Sequence, residues 1–124
     1  MVTISMPGRG LRWLFALAIA PLPVWAETAE ENYRLYCVQC HGTLGNGQGI
    51  NQTTGGLAVS PRSHTYAEEM KKLADEELRL AIADGGDAVQ KSELMPAFGN
   101  ILSQSEIDDL VRHLRNLCQC EANR

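Results

Sequence analysis

The chain has 124 residues, of which 44% are hydrophobic, and it carries 11 Lys and Arg against 15 Asp and Glu for a net charge of −4. This length suits one small domain. The acidic balance argues against nucleic acid as a partner, because phosphates would repel the protein, and it favours partner proteins with basic docking faces.

Residues 1–26 have the pattern of a secretory signal peptide. Arg9 and Arg12 make a basic start, residues 11–20 are apolar apart from Arg12, and Ala26 is a small residue at the exit. The apolar run is shorter than the roughly 20 residues of a membrane span. We therefore predict a periplasmic protein with no stable membrane insertion after cleavage. Trp25 makes the cleavage site imperfect, which keeps an uncleaved anchor as the alternative. Cleavage after Ala26 would leave residues 27–124 with a net charge of −6.

The run Cys37-Val38-Gln39-Cys40-His41 is the pattern of covalent attachment for a c-type haem. Two cysteines three residues apart face the same side of a helical turn, so both thiols reach one porphyrin. His41 then offers an imidazole nitrogen to the iron. One such run predicts one haem c.

Two other sites use a C-x-x-C pair. A thioredoxin-like redox pair needs a βαβ context, which the sequence lacks. A zinc site needs a second pair of Cys or His ligands at suitable spacing. Both are weaker readings than haem attachment, which also agrees with export.

The spacing of apolar residues predicts an all-α fold of three main helices and one shorter piece around long loops. The helices are predicted over Glu30–Cys40, Tyr66–Leu73 (the shorter piece), Asp75–Asp84 and Ser103–Leu117. The last begins with a capping box, Ser103 followed by Glu106. Residues 42–64 read as a glycine-rich loop. It follows no strand and opens no helix, which argues against a nucleotide-binding loop. We interpret its glycines as backbone that wraps closely around a flat cofactor.

The iron needs a sixth ligand unless it stays open for a substrate. Met95 is the leading candidate, because it lies in a loop before Pro96, where it has little packing reason to occur. Met70 lies in a predicted helix and reads as a core residue. His64 lies in a turn and is expected to be solvated. His/Met ligation is the pairing of cytochromes c.

From Ala29 to Leu117 the sequence resembles class I cytochrome c in its small bacterial periplasmic form. Tyr33 matches the aromatic residue four positions before the first haem cysteine, and Ala29 matches a small residue eight positions before it. The resemblance implies that the first and last helices cross there. His113 stands where the family usually has an aromatic residue, and we expect it to pack on Tyr33 rather than bind iron. The resemblance also implies a proline whose carbonyl orients the ligand histidine, and Pro61 is the candidate.

The family does not require the pair Cys118 and Cys120 in residues 118–124, a tail expected to be mobile beyond the haem domain at 27–117. Three readings stay open. The pair could form a disulfide, one of the two could bond to a partner chain, or both could bind a soft metal.

The function predicted from these features is electron transfer rather than catalysis. His41 and Met95 would saturate the iron of a carrier between redox partner proteins, whose identity the sequence does not disclose. One alternative is a haem-bearing subunit of a larger redox complex. Another is an open-iron peroxidase or gas-binding protein, which would need an acid–base residue such as His64. A docking patch is predicted at Lys91, Lys71 and Lys72, against the alternative that these are ordinary solvated charges.

Overall fold

The computed structural model describes residues 27–123 and Thr3, so the predicted signal peptide lies, apart from Thr3, outside the described residues. The helices are α1 (Ala29–Tyr36), α2 (Val38–His41), α3 (Ile50–Thr53), α4 (Ala67–Met70), α5 (Asp75–Asp84) and α6 (Gln104–Cys118), and a single 3-10 turn covers Asp87–Val89. No strand occurs in this part of the chain, which confirms the all-α prediction. None of the helices in the described residues is long and apolar enough to cross a bilayer.

The last helix, α6, has the predicted capping box. The Glu106 carboxylate accepts a hydrogen bond from the Ser103 backbone N–H at 2.8 Å, and the Ser103 hydroxyl accepts one from the Glu106 N–H at 3.4 Å. One face of the helix is buried along its length. Its buried apolar residues are Ile107, Leu110, Val111, Leu114 and Cys118. This stripe supplies about half of the buried core, so α6 is the element on which the others pack.

The prediction that the first helix is continuous through the haem cysteines is wrong, because two helices replace it. At Cys37 the backbone has φ −109°, well away from the helical value near −63°. The first helix ends there, and a new turn begins in which the His41 N–H donates to the Cys37 carbonyl at 2.9 Å. Val38–His41 of the haem motif thus form their own helical turn, α2.

The crossing of α1 and α6 is present as the resemblance implies. Tyr33 is buried, and its ring centroid lies 5.0 Å from that of His113. The prediction that His113 packs on Tyr33 is therefore confirmed, and this ring is half-buried.

Two glycines of residues 42–64 serve a different purpose from the one predicted. Gly47 has φ +80°, and a Cβ atom there would lie 2.6 Å from the Pro61 carbonyl oxygen. Gly49 packs equally closely on the backbone of Gln39. Neither glycine lines the cavity described below. Gly47 and Gly49 are needed because two backbone segments approach each other, so the predicted reason, a close approach to the cofactor, is wrong at these two positions. Other residues of the same loop, Leu57, Val59 and Pro61 among them, do line the cavity.

Arg115 on α6 is buried and holds the connection between α4 and α5. Its guanidinium donates to the carbonyls of Met70 and Leu73 at 2.8 and 2.6 Å, and to the Asp75 carboxylate at 2.9 Å. Because these bonds span 40 to 45 residues of sequence, they fix the position of α5 on α6.

The C-terminal segment is attached to the body rather than free. Cys118 and Cys120 form a disulfide with a Cα–Cα distance of 5.2 Å, which is the first of the three readings. Cys120 packs on the core, and the backbone N–H of Asn123 donates to the Lys71 carbonyl at 2.6 Å. The expectation of a mobile tail is therefore wrong for residues 118–123.

Candidate functional site

A cavity of about 460 Å³ lies between the loops and the helices α1, α2, α5 and α6. Its size falls within the ~300–1,000 Å³ of cofactor sites. Most of its wall is apolar, including Leu57, Val59, Leu78, Ala81, Ile82, Phe98, Leu110 and Leu114. The same wall contains Cys37, Cys40, His41, Pro61 and Met95, together with Tyr33. The fold thus brings every predicted site residue to one cavity.

The two cysteines of the motif are free thiols in this wall. Burial raises the pKa of Cys37 to about 12, and the neighbouring Cys40 adds to the effect. Redox-active C-x-x-C pairs instead have a thiol whose pKa is lowered. The environment of Cys37 therefore disfavours the thioredoxin-like alternative.

His41 has one ring nitrogen engaged and one free. Its Nδ1 lies 2.9 Å from the backbone carbonyl of Arg62, which can only accept, so Nδ1 carries the proton. Burial lowers the pKa of His41, against a smaller raising effect of this hydrogen bond. The ring is thus a neutral imidazole with Nε2 unprotonated, which is the form that binds a metal.

Met95 reaches the cavity on a loop that is held against the end of α5. The Gly86 N–H donates to the Met95 carbonyl at 3.0 Å, and the Met95 N–H donates to the Ser92 carbonyl at 3.2 Å. Met70 is fully buried in the core and does not line the cavity. Among the described residues, Met95 is thus the methionine that can offer its sulfur to this cavity.

The comparisons with known proteins agree with this geometry. A family model described as "Cytochrome C oxidase, cbb3-type, subunit III" matches residues 25–114, well over half of the chain. The chain belongs to this cytochrome c family. Among solved structures, the "KustC0563 c-type cytochrome" is similar, with a TM-score of 0.58 and 27% identity over 73% of this chain and 98% of that chain. No curated protein sequence matched.

Membership of the family implies one covalently bound haem c with its iron, and electron transfer as the general activity. The residues of this cytochrome fit the group. Two unpaired thiols and a neutral imidazole with a free Nε2 meet in one largely apolar cavity. Cytochrome c domains of this kind are typically extracellular or periplasmic.

Two expectations about the histidine side of the cytochrome are wrong. The carbonyl that accepts from His41 belongs to Arg62, one residue after Pro61. The Pro61 carbonyl oxygen instead lies beside Gly47, 2.6 Å from where a Cβ atom of that residue would be. His64 is only 7% exposed rather than solvated, because its ring stacks on His41 with centroids 4.1 Å apart and planes 19° apart.

Sequence reasoning missed the contribution of Arg62 and the burial of His64. The available signal was that both residues lie close to Pro61 in sequence. A loop that returns to the haem motif brings several consecutive residues past His41, and not Pro61 alone. The choice among these carbonyls depends on register, which a single sequence does not specify.

The three lysines of the predicted docking patch differ from one another. Lys71 and Lys72 each pair with a glutamate of α4 at 2.6 Å, with Glu68 and Glu69 respectively. Lys91 makes no ion pair within residues 27–123, and it lines the cavity. The local positive charge at the cavity edge is therefore smaller than the count of lysines suggests.

Proposed function

We propose that this cytochrome is a periplasmic carrier that shuttles single electrons between a donor complex or dehydrogenase and a terminal reductase or oxidase, with His41 and Met95 as axial ligands. The observation that carries the proposal is that His41 and Met95 line the same cavity as both cysteines of the motif. Bound haem supplies an iron that gains or loses one electron. Cys37 and Cys40 would hold its edge by thioether bonds, and His41 would be oriented by the Arg62 carbonyl.

The pair of ligands decides between a carrier and an enzyme. Occupation of both axial positions by side chains leaves no position for a substrate, and methionine sulfur favours the reduced iron. The open-iron alternative needs an acid–base residue that faces a vacant position. His64, the candidate for that residue, stacks on His41 and shares a 2.9 Å hydrogen bond with Tyr33. Its position beside one ligand does not favour the open-iron alternative.

A second candidate is a haem-bearing subunit of a larger redox complex. The matching family is described as a subunit of a cbb3-type cytochrome c oxidase, which favours this candidate. The disulfide between Cys118 and Cys120 removes the free thiol that a covalent link to a partner would need. Size-exclusion chromatography of the native protein separates the candidates, because a carrier elutes as a small monomer and a subunit elutes with its complex.

The ligand assignment is tested by Met95→Ala, with Met70→Ala as the matched control. Met95→Ala should abolish the weak near-infrared band of His/Met haem, open the reduced iron to carbon monoxide and lower the potential. Met70 lies outside the cavity, so Met70→Ala should destabilise the protein but keep the band. Loss of the band in Met70→Ala and not in Met95→Ala would refute the assignment. Haem that extracts into acid acetone would refute attachment at Cys37 and Cys40.

A further inference from the structure

The buried ring of His64 forms a second contact on His41, independent of the Arg62 carbonyl. The two imidazoles lie almost parallel, with 4.1 Å between centroids. The Arg62 hydrogen bond fixes one atom of His41 but still permits the ring to tilt about that bond. A flat ring against its face restricts this remaining motion.

His64 is itself held in place from two directions. Its backbone N–H donates to the Gly45 carbonyl at 2.6 Å, and its Nδ1 lies 2.9 Å from the Tyr33 hydroxyl. These two atoms form one hydrogen bond, in which either group can donate depending on the tautomer of His64. The Tyr33 ring is in turn fixed at the crossing of α1 and α6. The position of His64 is therefore set by the helix crossing.

We propose that His64 is a positioning residue for His41, oriented by the hydroxyl of Tyr33, and that it lowers the reduction potential of the cytochrome. The direction of this effect on the potential follows from the polarity of the His64 ring. Oxidation adds positive charge to the iron and its ligand, and the polarisable face of the imidazole stacked on that ligand stabilises the charge better than a hydrocarbon does. Groups next to a metal ligand tune its ring orientation and the potential in this way. The inference rests on the proposed role of His41 as an axial ligand.

The test uses the holoprotein and three variants. His64→Leu removes the ring and its dipole. Tyr33→Phe removes one oxygen atom and keeps the aromatic packing. Tyr36→Phe is the matched control, since it removes a hydroxyl from the same helix, while Tyr36 packs on Phe98 with centroids 5.6 Å apart and does not line the cavity. Each variant is titrated for its potential, and the shifts of the haem methyl protons in the oxidised form are recorded, because they report the orientation of the axial ligand planes.

We expect His64→Leu to raise the ratio of reduced to oxidised protein about tenfold in a fixed redox buffer, the lower end of the roughly 10–100-fold effects that residues supporting metal ligands have on metal affinity or activity. For a one-electron couple this is a rise of 59 mV. Tyr33→Phe should shift the potential in the same direction by less, with a changed methyl pattern. Tyr36→Phe should match the parent protein in both measurements.

Equal potentials and methyl shifts in His64→Leu and the parent would overturn the proposal, and so would a shift in Tyr36→Phe as large as the shift in His64→Leu. If His64→Leu gives no holoprotein, Tyr33→Phe provides the test. An unchanged potential and unchanged haem methyl shifts in that variant would then overturn the proposal. Failure of the proposed function looks different, because the parent protein itself would then lack the His/Met band or its covalent haem.

Discussion

Replacement of Arg115 tests how much one buried cation stabilises the packing of α5, the helix that forms part of the cavity wall. Arg115 is 7% exposed, and it joins α6 to the segment that carries α5. Leu78, Ala81 and Ile82 of α5 line the cavity, so a displaced α5 would open that wall. We consider Arg115→Met, because methionine fills the volume of the side-chain stem and removes the guanidinium.

The expected cost follows from the partners of Arg115. The carbonyls of Met70 and Leu73 lose a charged donor at 2.8 and 2.6 Å, and hydrogen bonds to charged groups contribute about 1.5–3 kcal/mol each. Asp75 is 45% exposed, so its carboxylate regains water and adds little. Methionine packing offsets part of the loss. We expect the free energy of unfolding to fall by about 3 kcal/mol, which lowers the Tm by roughly 10–20 °C for a domain of this size.

The assay is guanidinium unfolding of the holoprotein without reductant, followed by circular dichroism. Arg112→Met is the control, because Arg112 lies on the same helix and pairs with Asp109 while its side chain is 71% exposed. Exposed pairs of this kind contribute about 0.2–1 kcal/mol at most. A loss for Arg115→Met no greater than the loss for Arg112→Met would refute the reasoning.

Three further predictions concern the methionine loop, the disulfide and the docking surface. Gly86→Ala should weaken the near-infrared His/Met band, because the new Cβ would meet the Ser92 carbonyl and lie 3.2 Å from the Met95 Cβ; an unchanged band would contradict this. Cys120→Ser should lower the free energy of unfolding by roughly 1–2 kcal/mol, because the disulfide closes only a very short loop and so removes little entropy from the unfolded chain. Addition of reductant should change the denaturation curve of the parent protein but not that of the variant. At low salt, Lys91→Glu should change the rate of electron transfer more than Lys72→Glu, since Lys72 is paired with a glutamate and Lys91 lines the cavity. A slower rate for Lys91→Glu indicates an acidic partner, a faster rate indicates a basic one, and a rate that ignores both substitutions and salt excludes electrostatic docking.

Local sequence determined the features that depend on near neighbours along the chain. The capping box at Ser103 and the apolar stripe after it specify α6, because both act within a few residues. The bounds Asp75–Asp84 of α5 agree with the prediction, since acidic residues begin that helix and Gly85, at φ +90°, ends it. The spacing of Cys37, Cys40 and His41 likewise specifies the haem motif without reference to the rest of the fold.

Only the tertiary structure decided which groups meet across long stretches of chain. The acceptor for His41 is Arg62 rather than Pro61, and the ring against it is His64, both more than 20 residues away in sequence. Such contacts depend on the path of a loop with little regular structure, where a shift of one residue exchanges one carbonyl for the next. Burial of His64 and Arg115 follows from the same packing, because a polar side chain enters a core only where distant partners satisfy it. The sequence alone does not identify those distant partners.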